Sequence, residues 1–420
     1  MKAAPVPESV PTSDPVSRSP GPFLTRKDTM NPFTFFMPTP VYSGSGCLDE
    51  LPRLLARFRR PAVLCGAHSA RASGALDAVL AHVPGAPVFD SFPENPDTAT
   101  CEAYAVDCRR AGIDVFITLG GGSVLDGAKA IALLAPNAGC CNDYFDTPPA
   151  QPPLPVIAIP TTSGTGSEVT PYAVLVDAAA RKKKTLKHPG LFPVAALLDP
   201  ALTVSLPPAV TIATALDALS QGMEGYVSRR ATPPGDLMAL EVCRRVRHAL
   251  PAALRDPGDL AARESLLYAA MLSGIVIAHS GTTIVHGMGY YYTLEHGIAH
   301  GAANGLLLPP VFQWNAIHAP EKVAALAGAL GHPCAPEARL AADAVATALY
   351  EFYELIGFSP AARDHGVPES ASVSFATDII ADPYRFKNQI GELTLETVTA
   401  LFQAAWAGDS APFWSVLFDN

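Results

Sequence analysis

The 420-residue sequence contains no closely spaced cysteine pair of the kind that holds zinc or forms a redox motif. Its eight cysteines are scattered, and only Cys140 and Cys141 are adjacent. Neither a disulfide framework nor a cysteine-ligated zinc site is therefore expected. This cysteine usage favours a reducing compartment, and we predict a cytoplasmic protein.

A long apolar run and a dense basic patch are also missing. The longest apolar run, Leu266 to Ala278, is interrupted by Ser273 and Gly274 and is too short to span a bilayer, so it predicts a buried helix. A formal net charge of −10 would repel nucleic-acid phosphates and anionic lipids. The densest basic run, Arg181 to Lys184, is either a solvated turn or the flank of a phosphate site. Nucleic-acid and membrane partners are not expected.

The change in residue composition and hydrophobic spacing along the chain predicts an extension followed by two domains. Residues 1–30 are rich in Pro and Ser, lack the apolar core of a signal peptide and are predicted to be disordered. In residues 31–206, short β-type runs alternate with helical stretches, which predicts an α/β domain with a parallel, Rossmann-like sheet. In residues 207–420, Ala- and Leu-rich segments of helical spacing predict an all-α domain. The predicted strands and main predicted helices are Ala62–Cys65, Val115–Leu119, Pro155–Ile159 and Val194–Leu198, and Thr98–Ala111, Ser123–Leu134, Ala209–Tyr226, Pro234–Leu254, Leu260–Ile277, Pro320–Leu330 and Glu337–Ile356.

A glycine run follows the second predicted strand and opens a helix. The run Gly120–Ser123 combines backbone that can approach a phosphate closely with the positive end of a helix dipole. A simple strand-to-helix turn is equally compatible with it, and Asp126 either contacts a ligand or caps the helix. A second loop, residues 160–168, is dense in hydroxyls and glycine and offers hydrogen bonds over a nucleotide. Two such loops at strand ends predict one dinucleotide crevice.

In the helical half, acidic, amide and imidazole side chains are spaced as a metal site requires. Asp217 and Gln221 lie four residues apart, on one face of a predicted helix. His286 and His300 follow, with His296 between them. An oxygen ligand with imidazoles suits a first-row divalent ion such as Fe(II) or Zn(II). A lone histidine is more often a satisfied polar group, so this prediction depends on the whole set.

Together these stretches resemble the iron-containing alcohol dehydrogenase family, over about residues 33 to 320. The resemblance implies a dinucleotide-binding α/β domain joined to an all-α domain, a dehydroquinate synthase-like architecture, with the active site in the cleft between them. It implies reversible hydride transfer between NAD(P)H and a small aldehyde or primary alcohol, with Fe(II) as the expected metal and Zn(II) or Mn(II) as alternatives. The motifs that carry it are Gly120–Ser123 with Asp126 and Lys129, Pro160–Thr170, Asp199–Pro200, Asp217–Leu219 and His300–Pro309.

The same resemblance assigns roles to individual positions. The implied metal ligands are Asp217, His286 and His300. The predicted cofactor contacts are Asn95, Gly121, Gly122, Ser123, Thr161, Thr162 and Lys183, with Gly66 and Ser69 from the first βα turn and Asp126 and Thr165 from the two loops.

Two positions depart from the family pattern. Gln221 stands where the family usually has a second ligand histidine, so it is either a weak amide ligand or the mark of a lost metal site. Tyr290 stands where the family usually has a histidine near the nicotinamide, and it either donates a proton or packs against the cofactor. We predict Tyr290 as a catalytic residue and include Gln221 among the metal ligands.

The first βα turn contains no carboxylate that would repel a 2′-phosphate. With Ser69 and Arg71 nearby, the prediction leans to NADP(H) over NAD(H). Three alternatives stay open: a metal-free reductase on the same fold, a dehydroquinate synthase-like lyase, and a non-enzymatic nucleotide-binding protein. We also expect a homodimer or a higher homo-oligomer, because closed symmetric assemblies are common.

Overall fold

A parallel sheet and a set of packed helices follow one another along the chain. The computed structural model describes residues 32–67, 69–177 and 182–409. The predicted extension 1–30 and Arg181 of the basic run lie outside the described residues. The described residues from Phe35 onward form one unit by their internal contacts.

Six parallel strands form the main sheet, in the order β1-β8-β5-β4-β2-β3. The strand order reverses between β2 and β4, and ligands bind open α/β sheets at the carboxyl ends of strands where this reversal occurs. A separate antiparallel hairpin is made by β6 and β7. The strands are β1 Val41–Ser43, β2 Pro61–Gly66, β3 Val88–Phe92, β4 Val115–Gly120, β5 Val156–Pro160, β6 Tyr172–Asp177, β7 Lys182–Lys187 and β8 Ala195–Leu198.

Alternate residues of the sheet enter two different cores. Val63 packs on the face covered by α1 and α3, whereas its neighbours Ala62 and Leu64 pack on the face covered by α4, α5 and the hairpin. Continuous apolar strands are expected where both faces of a parallel sheet are covered. The α-helices in the described residues of this half are α1 Leu51–Leu55, α2 Ser69–Ala72, α3 Ala75–His82, α4 Thr98–Ala111 and α5 Gly122–Leu134.

From Pro208 onward the described regular elements are all helical. The helix α8 is long and apolar enough to cross a membrane by length and composition, but 67% of its most apolar window is buried inside the protein. It packs against α6 and α7 and is a core helix, as the run Leu266–Ala278 predicted. The helices are α6 Pro208–Val227, α7 Pro233–Arg255, α8 Leu260–Ser280, α9 Ile284–His296, α10 His300–His318, α11 Pro320–Ala329, α12 Ala338–Ile356, α13 Ala371–Ile380 and α14 Leu395–Ala407.

Two adjacent prolines lie inside α10, where each removes a backbone hydrogen-bond donor. Pro309 cannot donate to the carbonyl group of Gly305, four residues earlier. The buried hydroxyl of Tyr353, on α12, donates to that carbonyl instead, at 2.7 Å. A buried carbonyl without a partner is costly, so this bond explains how α10 continues through the prolines.

The two halves meet at a pair of glycines. A Cβ atom on Gly166, in the loop after β5, would lie 2.4 Å from the Cα atom of Gly274 on α8. Gly166 also has a φ of +61°, which disfavours any other residue there. The loop backbone therefore lies directly against the helix backbone, with no side chain between them.

The predicted α/β half followed by a helical half is confirmed, and every predicted strand and main helix is present. Eleven of the described strands and α-helices were not predicted: the strands β1, β3, β6 and β7, and the helices α1, α2, α3, α9, α10, α13 and α14. Residues 182–184 of the basic run belong to strand β7, so the interpretation as a turn is wrong for them.

Candidate functional site

A cleft of about 1610 Å³ lies between the carboxyl ends of the strands and the helical half. Every residue predicted for the cofactor and metal sites lines this cleft, together with Tyr290. The predicted residues that the structure brings together are Gly66, Ser69, Asn95, Gly121, Gly122, Ser123, Asp126, Thr161, Thr162, Thr165, Lys183, Asp217, Gln221, His286, Tyr290 and His300.

The glycine run and the threonine-rich loop interlock at one end of the cleft. A Cβ atom on Gly121 would lie 3.1 Å from Oγ1 of Thr162, and one on Gly122 would lie 2.5 Å from Cγ2 of Thr165. The space that glycine leaves is therefore occupied by threonine side chains. No side chain caps the N-terminus of α5, so its positive dipole end faces the cleft, as a pyrophosphate site requires.

Two charged residues of α5 fasten the threonine-rich loop to the sheet. The carboxylate of Asp126 accepts hydrogen bonds from the hydroxyl of Ser167 and from the backbone N–H of Val174. The buried ammonium of Lys129 donates to the carbonyl oxygens of Ser167, at 2.6 Å, and Tyr172, at 2.9 Å. Burial lowers the pKa of Lys129 to about 8, against the attraction of nearby carboxylates. Asp126 is thus a loop anchor and not a helix cap, while its role as a cofactor contact stays a prediction.

Asn95 connects the glycine run to the hairpin. Its φ of +46° is the one positive value among the described residues other than glycine. Its backbone N–H donates to Oγ of Ser123 at 3.1 Å, and its Oδ1 accepts from Nζ of Lys183 at 3.3 Å. Asparagine tolerates this backbone region better than most residues, so the position suits the bridge.

A carboxylate does lie beside the first βα turn, contrary to the impression from the local sequence. Asp90 on the neighbouring strand β3 accepts a hydrogen bond from Nε of Arg71 at 2.9 Å. The pair is largely exposed, so it contributes little stability and opens readily. Gly66 and Ser69 line the cleft beside it.

Three side chains from three helices form a ligand set for a cation. One donor atom each from Asp217 on α6, His286 on α9 and His300 on α10 lies within 4.8 Å of the other two. Nε2 of His286 is 3.5 Å from Oδ1 of Asp217, and Nε2 of His300 is 3.9 Å from the same oxygen. One carboxylate with two imidazoles is a donor set that suits Fe(II) or Zn(II), so these residues fit a divalent metal.

Glu224 orients one of the imidazoles and was missed in the sequence. Its Oε2 lies within hydrogen-bond distance of Nδ1 of His286, and its Oε1 accepts from the backbone N–H and the hydroxyl of Thr283, both at 2.8 Å. This leaves Nε2 of His286 directed at Asp217. Glu224 follows Asp217 by seven residues, two turns along the same helix face, which was the available signal. A carboxylate behind a ligand histidine is a common outer-shell partner of metals.

The charges around the imidazoles set their protonation. Burial acts to lower the pKa of His286, but the carboxylates of Glu224 and Asp217 outweigh it and raise the pKa to about 10. Burial lowers the pKa of His300 to about 3. Burial acts to raise the pKa of Asp217, but the two histidines outweigh it, so the net pKa is lowered. At neutral pH, His286 is thus the one ligand that must lose a proton to bind a metal.

Gln221 faces the ligand set with its nitrogen. Its Nε2 donates to Oδ2 of Asp217 at 3.2 Å, while its Oε1 accepts from the hydroxyl of Ser273 at 2.8 Å. Asn304 donates to the other oxygen of Asp217, at 3.2 Å. Gln221 acts here as a hydrogen-bond donor to a ligand, and this orientation does not support its predicted role as a ligand itself.

Tyr290 covers one side of the ligand set. Its ring stacks on that of His300, with centroids 5.1 Å apart and an angle of 9° between the planes. Nζ of Lys183 and Cζ of Arg385 lie 5.2 and 5.8 Å from the same ring centroid. Burial raises the pKa of Tyr290 to about 12. His296 lies elsewhere and packs edge-on against Phe375.

Comparison with known proteins agrees with this arrangement. The family model described as iron-containing alcohol dehydrogenase matches residues 38–200, and its C-terminal companion model matches residues 211–406. The match therefore continues well beyond residue 320, where the motifs of the sequence became weak. The functional motifs of the helical half end near Pro309, and the helices after α10 contribute mainly to packing.

Individual relatives point to the same family. "Probable alcohol dehydrogenase EutG" of Escherichia coli is 41% identical over 234 residues, which is 56% of this chain and 59% of that protein. "NAD-dependent methanol dehydrogenase" of Bacillus methanolicus is 32% identical over 342 residues, 80% of this chain and 90% of that protein. The solved structure of sulfoacetaldehyde reductase from Bifidobacterium kashiwanohense in complex with NAD+ aligns with a TM-score of 0.82 at 29% identity, covering 90% of this chain and 100% of that one.

The family implies a divalent metal and a nicotinamide cofactor, and the cleft offers a fitting set of residues for each. From its motifs, its fold and these matches, the chain belongs to the iron-containing alcohol dehydrogenase family and is an oxidoreductase of that class.

Proposed function

We propose that the chain transfers a hydride reversibly between NAD(P)H and a small aldehyde or primary alcohol, with a divalent metal held by Asp217, His286 and His300. The observation that carries this proposal is the location of these three ligand atoms, within 4.8 Å of one another, in the cleft that also contains the glycine run. The activities named for two relatives, an NAD-dependent methanol dehydrogenase and a sulfoacetaldehyde reductase in complex with NAD+, support it.

The chain's own residues have separate tasks in this reaction. A divalent ion, when bound, supplies Lewis-acid polarisation of a carbonyl oxygen. Glu224 fixes the tautomer of His286, and the stacked ring of Tyr290 restricts His300. The interlocked loops and the open N-terminus of α5 hold the cofactor phosphates and so align the hydride donor.

The proton of the new alcohol comes from water, a ribose hydroxyl or the hydroxyl of Tyr290. A phenol with a pKa of about 12 is a poor acid near neutral pH, since efficient proton donors have a pKa near the working pH. We therefore assign Tyr290 chiefly to orienting His300. Its hydroxyl stays a candidate donor.

For the cofactor, we propose that NADP(H) is accepted along with NAD(H). The turn at Gly66 and Ser69 presents no carboxylate of its own. Arg71 lies two residues after Ser69, and its guanidinium would be free to pair with a 2′-phosphate when its exposed pair with Asp90 opens. The ratio of kcat/KM for NADPH to that for NADH tests this proposal, and Arg71→Gln should lower the ratio.

A second candidate, a metal-free reductase on the same fold, is favoured by one observation. Gln221 donates to Asp217 where a further ligand would otherwise strengthen the metal site. If the protein retains full activity after chelation and contains no metal, this candidate replaces the first.

The deciding experiment follows NAD(P)H absorbance with a panel of small aldehydes, after stripping the protein and reloading it with Fe(II), Zn(II) or Mn(II). We expect His286→Ala and His300→Ala to lose bound metal and to reduce turnover by roughly a thousand-fold or more. The matched control is His296→Ala, on the same helix as His286 but packed against Phe375. Equal metal content and activity in all three variants would refute the site, and sustained consumption of NAD(P)H excludes a lyase.

A further inference from the structure

One wall of the cleft has a charge opposite to that of the whole chain. The chain carries a formal net charge of −10, yet cationic side chains gather where the hairpin meets the helical half. We call these four residues the cationic wall: Lys187, Arg230, Arg385 and Lys387. They come from the end of β7, the segment after α6 and the region of the 3-10 helix Pro383–Phe386. No single basic run in the sequence produces this wall, so the fold assembles it.

Acidic residues neutralise only part of the cationic wall. Nε of Arg385 lies 3.2 Å from Oδ2 of Asp382. Across the described ranges 32–67, 69–177 and 182–409, no carboxylate forms an ion pair with Lys187, Arg230 or Lys387. Burial, followed by the repulsion of Arg230 and Lys387, lowers the pKa of Lys187. Like charges held together are relieved when an anion binds between them.

The cationic wall extends to the metal ligands through Tyr290. Cζ of Arg385 is 5.8 Å from the Tyr290 ring centroid, and that centroid is 5.1 Å from the centroid of His300. The guanidinium therefore lies within about 11 Å of the His300 ring. A short molecule with a carbonyl oxygen near the ligand set and an anionic group at its other end fits within this span.

The cofactor phosphates do not account for these cations. The loops expected to hold the phosphates follow β2 and β4, at Gly66 and at Gly121–Ser123. Lys187 pairs instead with Tyr172 across the hairpin, and the hydroxyl of Tyr172 donates to the carbonyl of Ala278 on α8, at 3.0 Å. Lys187 therefore belongs to neither of those loops and is paired with a residue that contacts the helical half.

We propose that the cationic wall, with Arg385 nearest the metal ligands, is a subsite for an oxyanion, and that the preferred substrate is a short aldehyde bearing a carboxylate, sulfonate or phosphonate group. This inference rests on the proposed function and adds the substrate class to it. A guanidinium forms two parallel hydrogen bonds with such a group, which makes Arg385 a specificity-determining residue.

The test compares an anionic aldehyde with its neutral counterpart. For 4-oxobutanoate against its methyl ester, we expect kcat/KM to favour the carboxylate by roughly ten-fold or more, as expected for a hydrogen bond to a charged group. Rising salt should reduce this ratio because the wall is partly exposed. Sulfoacetaldehyde and phosphonoacetaldehyde, measured alongside, identify which oxyanion is preferred.

Variants assign the effect to the wall. Arg385→Gln should reduce the ratio of the two kcat/KM values by about ten-fold, mainly through KM for the carboxylate, and Arg385→Lys should restore part of it. The matched control is Arg53→Gln, whose arginine also pairs with an acid three residues away, Glu50 at 2.6 Å, but lies outside the cleft. It should leave both rates unchanged.

The outcomes separate the two proposals. Turnover of both aldehydes with equal kcat/KM overturns the inference and leaves the proposed function intact. If no aldehyde is reduced, the proposed function fails, and calorimetric titration with succinate against succinamide still tests the subsite. Tighter binding of succinate that is weakened in Arg385→Gln supports the subsite, whereas equal binding of both refutes it.

Discussion

The proposed cofactor side of the cleft is built from two loops that touch, whereas the proposed metal side takes one candidate ligand from each of three helices. On the cofactor side, glycines leave space that threonine side chains fill, so side-chain size controls the geometry. On the metal side, carboxylates and imidazoles hold one another in place, so charge controls it. Changes in size should therefore act mainly on the first side, and changes in protonation mainly on the second.

The largest effect expected from this difference between the two sides is the pH dependence of metal binding. His286, with a pKa raised to about 10, must release a proton to bind a metal, whereas His300, with a pKa of about 3, and Asp217, with a lowered pKa, are already deprotonated at neutral pH. Metal affinity should therefore rise with pH, roughly ten-fold per unit from about pH 7 toward 10. Competition of Zn(II) with a chelator of known pH dependence measures the slope. A slope of zero or of two protons would contradict this assignment.

At pH values where His286 is deprotonated, Glu224→Gln should weaken metal binding by about 10- to 100-fold, because it removes the charge behind His286 but retains a polar side chain. The same change should shift the pH dependence of metal binding to lower pH, because the carboxylate is a main cause of the raised pKa of His286. Metal content after dialysis against a weak chelator provides the measurement. Glu241→Gln is the control, since its carboxylate pairs with Arg245 on α7 and does not line the cleft. Equal retention of metal in both variants would refute the role of Glu224.

On the cofactor side, Gly122→Ala should cost about 1–3 kcal/mol of stability and weaken NAD(P)H binding, because the new methyl group overlaps Thr165. Thr165→Ser removes Cγ2, the atom 2.5 Å from that methyl position, and should restore part of both losses in the double variant. Gly328→Ala, at an exposed position of α11 with no atom closer than 3.9 Å to the new methyl group, should instead stabilise by up to about 1 kcal/mol. Fluorescence titration with NADH and denaturant unfolding measure the two effects. The metal content of Gly122→Ala should be unchanged, because the substitution lies on the cofactor side of the cleft.

The smallest expected effect is that of Tyr290→Phe, which keeps the ring over His300 and removes the hydroxyl. If Tyr290 acts by packing, kcat/KM should change by no more than about three-fold, whereas loss of a proton donor typically costs about a hundred-fold or more. Comparison of pH–rate profiles for the two proteins makes this measurement. A large loss in kcat at all pH values would make the hydroxyl the proton donor.

Elements that depend only on residues close together in the sequence could be predicted from it. The apolar run that became β4 and the glycines after it predict a strand, a turn and a helix without knowledge of the rest. Strand β7 was not predicted because its lysines resemble a solvated run. Leu186 is its one buried side chain, and a single buried apolar residue does not give the alternating pattern of a strand. Helix α10 was hidden because Pro309 argues against a helix unless Tyr353 supplies the missing donor.

Only part of the chemistry of the site could be predicted from the sequence, because some of the interacting residues are far apart in the chain. Asp217, His286 and His300 were found through family motifs, but the partners that set their charge were not. Glu224 contacts a histidine 62 positions away, and only the packing of α6 against α9 makes them neighbours. The cationic wall was missed for the same reason. Its four residues come from three separate segments of the sequence and become neighbours only in the folded protein.

The glycine pair Gly166 and Gly274 has a mechanical consequence. Because the loop backbone rests on the backbone of α8, this point has no compressible side chain that could absorb a sliding motion. We therefore expect any opening of the cleft to pivot about this contact, with the loop and α8 kept in register. A bulkier residue at position 166 or 274 would force the backbone of the loop away from the backbone of α8.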